Sequence, residues 1–103
     1  MSHWVIEYTY DTRAHLRDQH RAAHRAYLLG LLDTGDMLAF GRYDDVDAPG
    51  ALLIAQADTR EQVEAMVSRD PFVMQGLVPS HRIREWASTF AFDTELESMT
   101  QTV

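Results

Sequence analysis

Histidine and carboxylate side chains carry whatever acid–base chemistry this sequence can perform near neutral pH. Its 103 residues include five His and sixteen Asp or Glu, but no Cys, and all nine basic residues are Arg. The missing thiol excludes disulfides, thiolate nucleophiles and iron–sulfur ligation by this sequence. The missing lysine excludes Schiff-base chemistry and the lysine of a phosphate-binding loop. Catalysis by a histidine–carboxylate pair, or catalysis that depends on a metal ion, remains.

Two histidines in the first third of the sequence are the strongest candidates for such a site. His20 and His24 are four residues apart, and the helical periodicity predicts that His20 lies in the middle of an apolar stripe and His24 toward its edge. The other members of the predicted stripe are Leu16, Ala23, Tyr27, Leu28 and Leu31. Because of this setting, both histidines could be core-edge residues with satisfied rings, or His24 could be a general acid or base that a carboxylate from elsewhere in the chain orients.

A metal site is the third interpretation of the two histidines, because residues at i and i+4 can bind one ion. The segment His20-Arg-Ala-Ala-His24 lacks the glutamate of the metalloprotease motif, and no third ligand is fixed by the spacing. We therefore predict no metal site and no cofactor.

Asp70 is the carboxylate that could orient a histidine. It precedes Pro71 in a segment that reads as a single helical turn ending at Gly76, so a helix-capping role would by itself explain the residue. A capping carboxylate still has a free oxygen, so capping and catalysis are compatible. The residue pattern leaves both roles open.

The charge of the chain narrows its partners. A net charge of −7 argues against nucleic acid, which requires a basic surface. Arginines recur every fourth residue from Arg13 to Arg25, interspersed with acidic residues and histidines, which is typical of a solvated helix edge. The longest apolar runs, 28–32 and 51–55, are too short to span a bilayer, and no secretory signal is visible. We expect a cytoplasmic protein without a membrane partner.

The order of predicted elements indicates the fold. The first half has a strand at 3–10, a helix from a cap at Asp11 or Thr12 to near Gly35, and a strand at 37–41. After a turn-rich connection at 43–50, the second half has a strand at 51–57 and a helix from a capping box at Thr59 and Gln62 to Ser68 or Arg69. The turn at 70–76 and a strand at about 82–86 complete the order. This β-α-β-β-α-β order predicts an α+β, ferredoxin-like domain over residues 1–87, with an antiparallel sheet and helices on one face. The other sheet face favours a homodimer, and 88–103 is expected to be a tail or a swapped arm.

Several short motifs follow one another in order along the chain: Arg21-Ala22-Ala23-His24 with Tyr27-Leu28, then Gly35, Gly41, Asp70-Pro71-Phe72-Val73 and Gly76. Together they resemble the YCII-related family over about residues 3–87. The resemblance implies a dimeric α/β barrel in which His24 and Asp70 are the active-site pair. It matches Arg21 to the basic residue before the histidine and Phe72 to the aromatic residue of the turn, and it implies a pocket between helix and sheet.

Two functional hypotheses follow. In the first, His24 and Asp70 move protons on a small organic molecule, in an isomerase, lyase or dehydrohalogenase type of reaction. Arg21 or Arg42 would pair with a carboxylate or a developing oxyanion, and Phe72 and His20 would complete the substrate site. In the second, the protein is a non-catalytic dimer, either a module that binds a small molecule or a structural module, and the His24–Asp70 contact is structural.

Overall fold

A computed structural model describes residues 1–45 and 47–88, so Val46 and nearly all of the predicted tail at 88–103 lie outside the described residues. The elements, in chain order, are β1 (Ser2–Thr9), α1 (Ala14–Thr34), β2 (Met37–Arg42), β3 (Gly50–Ala57), α2 (Arg60–Ser68), α3 (Pro71–Met74) and β4 (Ser80–Trp86). The predicted elements are all present, with strand ends that differ by one or two residues. None of the helices in the described part of the chain is long and apolar enough to cross a membrane.

The four strands form one antiparallel sheet in the order β2-β3-β1-β4. β1 lies at the centre, where Tyr8 is opposite Ala51 of β3 and Ile6 is opposite Ile83 of β4. This order places the two chain-adjacent strands β2 and β3 side by side and brings β1 between β3 and β4. The predicted α+β, ferredoxin-like fold is confirmed.

The core lies between one face of the sheet and the helices. Alternation in β1 turns Trp4, Ile6 and Tyr8 to this face, and all three are buried. The helices and the remaining strands complete the core with Leu28, Met37, Ala51, Leu53, Ala55, Ala57, Val63, Val67 and Ile83. The core therefore fixes which face of the sheet the long helix α1 covers.

The N-terminus of α1 differs from the prediction. Neither Asp11 nor Thr12 is the cap; the cap residue is Arg13, and it makes no capping hydrogen bond with its side chain. The carboxylate of Asp11 instead accepts the backbone N–H of Arg13 at 3.1 Å and the Nε–H of the same residue at 2.9 Å. Asp11 thus still accepts a hydrogen bond from a backbone N–H at the start of the helix, although it lies two residues before the cap. At the other end, Gly35 adopts φ 85° after the last helical residue, as the sequence predicts.

The buried face of α1 is rotated relative to the predicted stripe. Arg17, His24 and Leu28 are its buried residues, whereas Ala23 is exposed and His20 is only half-buried. The prediction that His20 lies at the centre of the stripe and His24 at its edge is therefore wrong. His24 lies on the line of buried residues.

Arg17 explains the rotation, and its burial corrects the prediction that it lies on a solvated edge. Its guanidinium lies over the ring of Tyr10, 4.7 Å from the centroid, and donates to the backbone carbonyl of Asp11 at 2.9 Å. The long stem and planar head of an arginine can cover aromatic surface while the charge stays paired. A polar residue thereby occupies a core-facing position.

The short elements after β3 follow the predicted capping patterns. Thr59 accepts the N–H of Gln62 at 3.3 Å and Gln62 returns a bond to the backbone of Thr59, which is the predicted capping box of α2. Asp70 caps α3, Pro71 is its first residue, and Gly76 adopts φ 69° just after it. Two caps and a left-handed glycine thus hold Asp70 in a fixed place.

Candidate active site

Asp70 is the most deeply buried charged residue of the described chain, with no exposed surface. Its place at the cap of α3 follows from local sequence, because Pro71 has no N–H to satisfy and the first free N–H is that of Phe72. That N–H donates to Oδ1 of Asp70 at 3.0 Å. One oxygen of the carboxylate is therefore fixed as an acceptor, and the other points away from the turn.

His24 meets this carboxylate from α1. Its Nδ1 lies 2.7 Å from Oδ1 of Asp70. Because an ionised carboxylate only accepts hydrogen bonds, Nδ1 of His24 is the donor. In a neutral His24 the lone pair is then on Nε2. The contact thus selects the tautomer that a general base requires.

Tyr8 completes the partners of Asp70 from the centre of the sheet. Its hydroxyl donates to Oδ2 at 2.8 Å. Burial, together with the negative charge of Asp70, raises the pKa of Tyr8 far above its ordinary value of 10.0, so that the phenol keeps its proton. The buried carboxylate accepts three hydrogen bonds, from α1, α3 and β1, which offsets its loss of water.

Phe72 holds the ring of His24 from one side. The two rings are stacked, with centroids 3.8 Å apart and planes inclined by 2°. The ring of Tyr10 packs edge-on against the ring of Phe72, with centroids 5.9 Å apart. Phe72 is fully buried, so its ring is a support for the imidazole.

A cleft of about 250 Å³ opens in front of His24, between α1 and the sheet. It is lined by Tyr10, Arg21, His24, Arg25, Leu28, Phe40, Gly41, Arg42, Ala51 and Leu53. Within the described residues, Nε2 of His24 has no hydrogen-bond partner. Every fully buried side-chain nitrogen or oxygen there does have a partner, so Nε2 is accessible to solvent. The geometry suits proton transfer between Nε2 and a molecule in the cleft.

The structure brings some of the predicted site residues together and leaves others apart. Arg21 and Arg42 line the cleft with His24. Phe72 and Asp70 lie behind the imidazole and do not line it. His20 is half-buried and is also absent from the lining. Over residues 1–45 and 47–88, no three His, Asp or Glu side chains are close enough to hold one metal ion.

Three residues of the site were not found by sequence reasoning. Tyr8 and Tyr10 continue the every-second-residue pattern of the core residues Trp4 and Ile6, which reads as packing and gives no sign of a polar contact. Burial raises the pKa of Tyr10 to about 12, so this cleft residue also stays protonated at neutral pH. Arg25 follows Arg21 by one helical turn, and that spacing was the available signal for a second cleft arginine.

Comparisons with known proteins find a family match and similar folds. The profile of the YCII-related domain matches residues 1–87. The solved structure of the 5-chloro-2-hydroxyhydroquinone dehydrochlorinase TftG from Burkholderia phenoliruptrix, in complex with 2,5-dihydroxybenzoquinone, is similar to this chain. The identity is 27%, the match covers 82% of this chain and 92% of that chain, and the TM-score is 0.69.

A second solved structure is similar in fold alone. It is the C-terminal domain of MgtC from Mycobacterium tuberculosis, at 12% identity, with 84% of this chain and 88% of that chain covered and a TM-score of 0.53. A search of curated proteins gives no significant match.

Proposed function

Because this chain belongs to the YCII-related family, we propose that it is a small enzyme that transfers protons on a ring-shaped organic substrate, with His24 as the general base and acid. The reaction class is elimination of a hydrogen halide, or isomerisation through the same proton transfers. Asp70 positions His24 and stabilises its charged form. No metal ion or cofactor takes part in the proposed step.

One observation carries this proposal: the buried, triply hydrogen-bonded Asp70 holds Nδ1 of His24, while the same imidazole lines an open cleft. A histidine kept only for packing needs no access to a cleft. A histidine that shuttles protons needs a fixed tautomer and an accessible second nitrogen.

The proposed elimination balances without a redox partner. Nε2 of His24 first accepts a proton from a ring hydroxyl and delivers it to the ring carbon that carries the halogen, which gives a keto tautomer with a tetrahedral carbon. It then accepts the proton of a second hydroxyl, the electron pair of that O–H bond forms a new C=O bond, and the ring π electrons shift to form a C=C bond at the halogen-bearing carbon. The leaving group departs with its bonding electrons, so that one hydrogen halide is lost overall. In an isomerisation, the imidazolium returns the proton to another carbon of the same molecule. In both reactions Asp70 is hydrogen-bonded to the positively charged imidazolium of His24.

The similarity to TftG supports the elimination class. That protein is a dehydrochlorinase of a chlorinated hydroxyhydroquinone and was solved with a dihydroxybenzoquinone bound. We propose a related substrate here, a hydroxylated ring that carries a leaving group. The apolar cleft residues Leu28, Phe40 and Leu53 provide walls for a planar ring.

The test is an anaerobic assay of 5-chloro-2-hydroxyhydroquinone and a panel of halogenated hydroxybenzoates and hydroxyquinones. Released halide and the quinone absorbance are both measured. We expect turnover of at least one compound, with a rate that falls by about 10²–10⁴-fold in His24→Gln. His15→Gln, on the exposed side of α1, is the matched control and keeps the full rate.

Two outcomes contradict the proposal. Turnover that is equal in His24→Gln and in the wild type would show that another group does the chemistry. If no compound is turned over and ring compounds leave the ¹⁵N signals of His24 unchanged, the non-catalytic module is the better description. Circular dichroism of His24→Gln shows whether the variant is folded.

We also propose that the protein is a homodimer through the sheet face that faces away from the helices. Alternation places an apolar group on that face, with charged neighbours: Val5, Glu7, Leu52, Ile54, Arg84 and Trp86. Trp86 is 40% exposed and lies opposite His3, on the same sheet face as Val5 and Ile54, and an exposed aromatic residue on such a face favours a partner surface. A second copy of the chain offers the same surface, as a two-fold dimer requires.

A further inference from the structure

The cleft in front of His24 has a charge opposite to that of the chain. Arg21, Arg25 and Arg42 line it, and none of the other lining residues is an aspartate or a glutamate. The chain as a whole has a net charge of −7. A concave, positively charged region on an otherwise acidic protein attracts a small anion and repels few of its own groups.

The carboxylates that touch these arginines leave their charge largely available. Arg21 pairs with Asp18 at 3.0 Å, but the carboxylate is 68% exposed and lies outside the cleft lining. Arg42 is 3.8 Å from an exposed Asp44. Exposed pairs of this kind contribute little and exchange readily with water or another anion. Arg25 forms no ion pair within the part of the chain that the structure describes.

The three arginines lie on two opposite walls of the cleft. Arg21 and Arg25 are one turn apart on α1, where like charges repel each other. Arg42 ends β2 on the opposite wall of the cleft. An anion between α1 and β2 would relieve the repulsion within the helix and would be contacted from two sides. Guanidinium groups are suited to this because they bind carboxylate-like oxygens with two parallel hydrogen bonds.

The remaining cleft residues limit the size and shape of the anion. Leu28, Phe40, Ala51 and Leu53 supply apolar walls, and the volume of about 250 Å³ is below the 300–1,000 Å³ of a drug-sized pocket. Tyr10 contributes a protonated hydroxyl, as described above. The space therefore fits a single substituted ring, with its polar atoms toward the arginines and the tyrosine.

We propose that the cleft selects an anionic ring, that is, a single ring that carries a carboxylate or an ionised hydroxyl held between Arg25 and Arg42. Its reacting position faces Nε2 of His24. The part of this inference that concerns the reacting position rests on the proposed function, whereas anion selection by Arg25 and Arg42 is a statement about binding alone.

The experiment compares charged and uncharged ligands of the same shape on the full chain, by isothermal titration calorimetry and ¹H–¹⁵N NMR. The carboxylate pair is 4-hydroxybenzoate and 4-hydroxybenzamide. The ionised-hydroxyl pair is 2,4-dinitrophenolate and 2,4-dinitroanisole. We expect at least one anion to bind about tenfold more tightly than its uncharged partner, and the pair that shows this identifies the kind of anion. Raising the salt concentration from about 20 to about 300 mM should weaken the binding of the anion more than that of its uncharged partner.

The variants locate the binding. Arg25→Gln and Arg42→Gln should each weaken the anion by about five- to tenfold and leave the uncharged partner unchanged. Arg60→Gln is the control, because Arg60 lies on α2, outside the cleft lining, and removes the same charge. Chemical-shift changes caused by the anion should fall on the cleft residues, which checks the site even if a variant is unstable.

The outcomes separate this inference from the proposed function. Equal binding of charged and uncharged partners, or equal loss of affinity in Arg60→Gln, would overturn anion selection even if an uncharged ring is turned over. Selective anion binding in His24→Gln, together with no turnover by the wild type, would support anion selection and contradict the enzyme.

Discussion

The imidazole of His24 lies parallel to the phenyl ring of Phe72, with centroids 3.8 Å apart and planes inclined by 2°. The stacking fixes the plane of the imidazole, and the bond from Nδ1 to Asp70 fixes its rotation within that plane. Asp70 and Phe72 belong to the same short turn at the start of α3. One local motif therefore sets both the tautomer of His24 and the direction of Nε2.

Phe72→Leu should lower kcat with little change in KM. Leucine keeps the site apolar but cannot stack, so His24 gains freedom and Nε2 spends less time in the reactive position. A misplacement of about 1 Å can cost about 10²-fold in rate. KM should stay nearly constant because Phe72 is fully buried and does not line the cleft. Steady-state kinetics on the substrate found by the halide-release assay measure both quantities.

Phe40→Leu is the comparison for this prediction. Phe40 does line the cleft, so its replacement should raise KM more than it lowers kcat. If Phe72→Leu instead raises KM alone, Phe72 contacts the substrate directly and is not a support for His24.

Tyr8→Phe should destabilise the protein without changing the shape of the core. The variant removes the hydroxyl that donates to Oδ2 of Asp70 and leaves a buried acceptor with one donor fewer. Such a loss costs about 1–3 kcal/mol in the free energy of unfolding. Tyr27→Phe is the control, because its hydroxyl donates to a half-buried backbone carbonyl, that of Met66, and its loss should cost about 0.5–1.5 kcal/mol. Urea denaturation of both variants checks the order, and a larger loss for Tyr27→Phe would contradict it.

Asp70→Asn separates the charge of Asp70 from its capping role. The amide oxygen can still accept from Phe72 and His24, and the amide NH2, in the place of Oδ2, donates to the Tyr8 hydroxyl instead of accepting from it. Asparagine is also as good a helix cap as aspartate. The negative charge that stabilises a protonated His24 is lost. We expect a fall in kcat of about 10²–10⁴-fold with a far smaller change in stability. Rate and urea denaturation are measured on the same sample, and full activity in this variant would leave Asp70 with the structural role alone.

The parts of the molecule that sequence predicted well depend on neighbouring residues. The alternation of β1, the capping box at Thr59 and the cap at Asp70 each act over four residues or fewer, so their patterns are readable without a structure. The α+β order of elements followed from these signals. The capping pattern also predicted that Asp70 lies at the start of α3.

The parts that sequence predicted poorly depend on contacts between distant elements. Counting apolar residues along α1 placed His20 at the centre of the buried face, because the count treats Arg17 as a solvent residue. In the fold, Arg17 packs on Tyr10, and the buried face turns toward His24. The pairing of His24 with Asp70 spans 46 residues, and the residue pattern alone left it open. Residue types made Asp70 the natural carboxylate partner, with capping as the competing explanation, and the resemblance to the family added support for the pair.

The N-terminus of α1 should lose stability as the pH falls. Hydrogen bonds from Arg13 hold the pKa of Asp11 at about 2, below its ordinary value of 3.8. A carboxyl group with a lowered pKa in the folded state stabilises the protein above its ordinary pKa, and this contribution disappears as the pH falls toward the folded value. Asp11→Asn should therefore be less stable than the wild type at pH 7, with a difference that shrinks below about pH 4.

Urea denaturation across this pH range tests the prediction for Asp11. Asp33→Asn, on the exposed surface of α1, is the control for removing one negative charge. A difference between Asp11→Asn and the wild type that stays constant from neutral to acidic pH would mean that the Asp11–Arg13 contact does not stabilise the fold.

Leu52→Lys should convert the proposed dimer to a monomer that is still folded. Leu52 lies on the sheet face that faces away from the helices, directly opposite Glu7 in the β1–β3 register. In a face-to-face dimer the lysine would be buried without water, whereas in a monomer it can pair with Glu7 across the strands. Sedimentation velocity should give twice the monomer mass for the wild type and the monomer mass for Leu52→Lys. Leu29→Lys, at an exposed position of α1, should remain dimeric. A monomeric wild type, or a Leu52→Lys variant that remains dimeric, would exclude this sheet face as the interface.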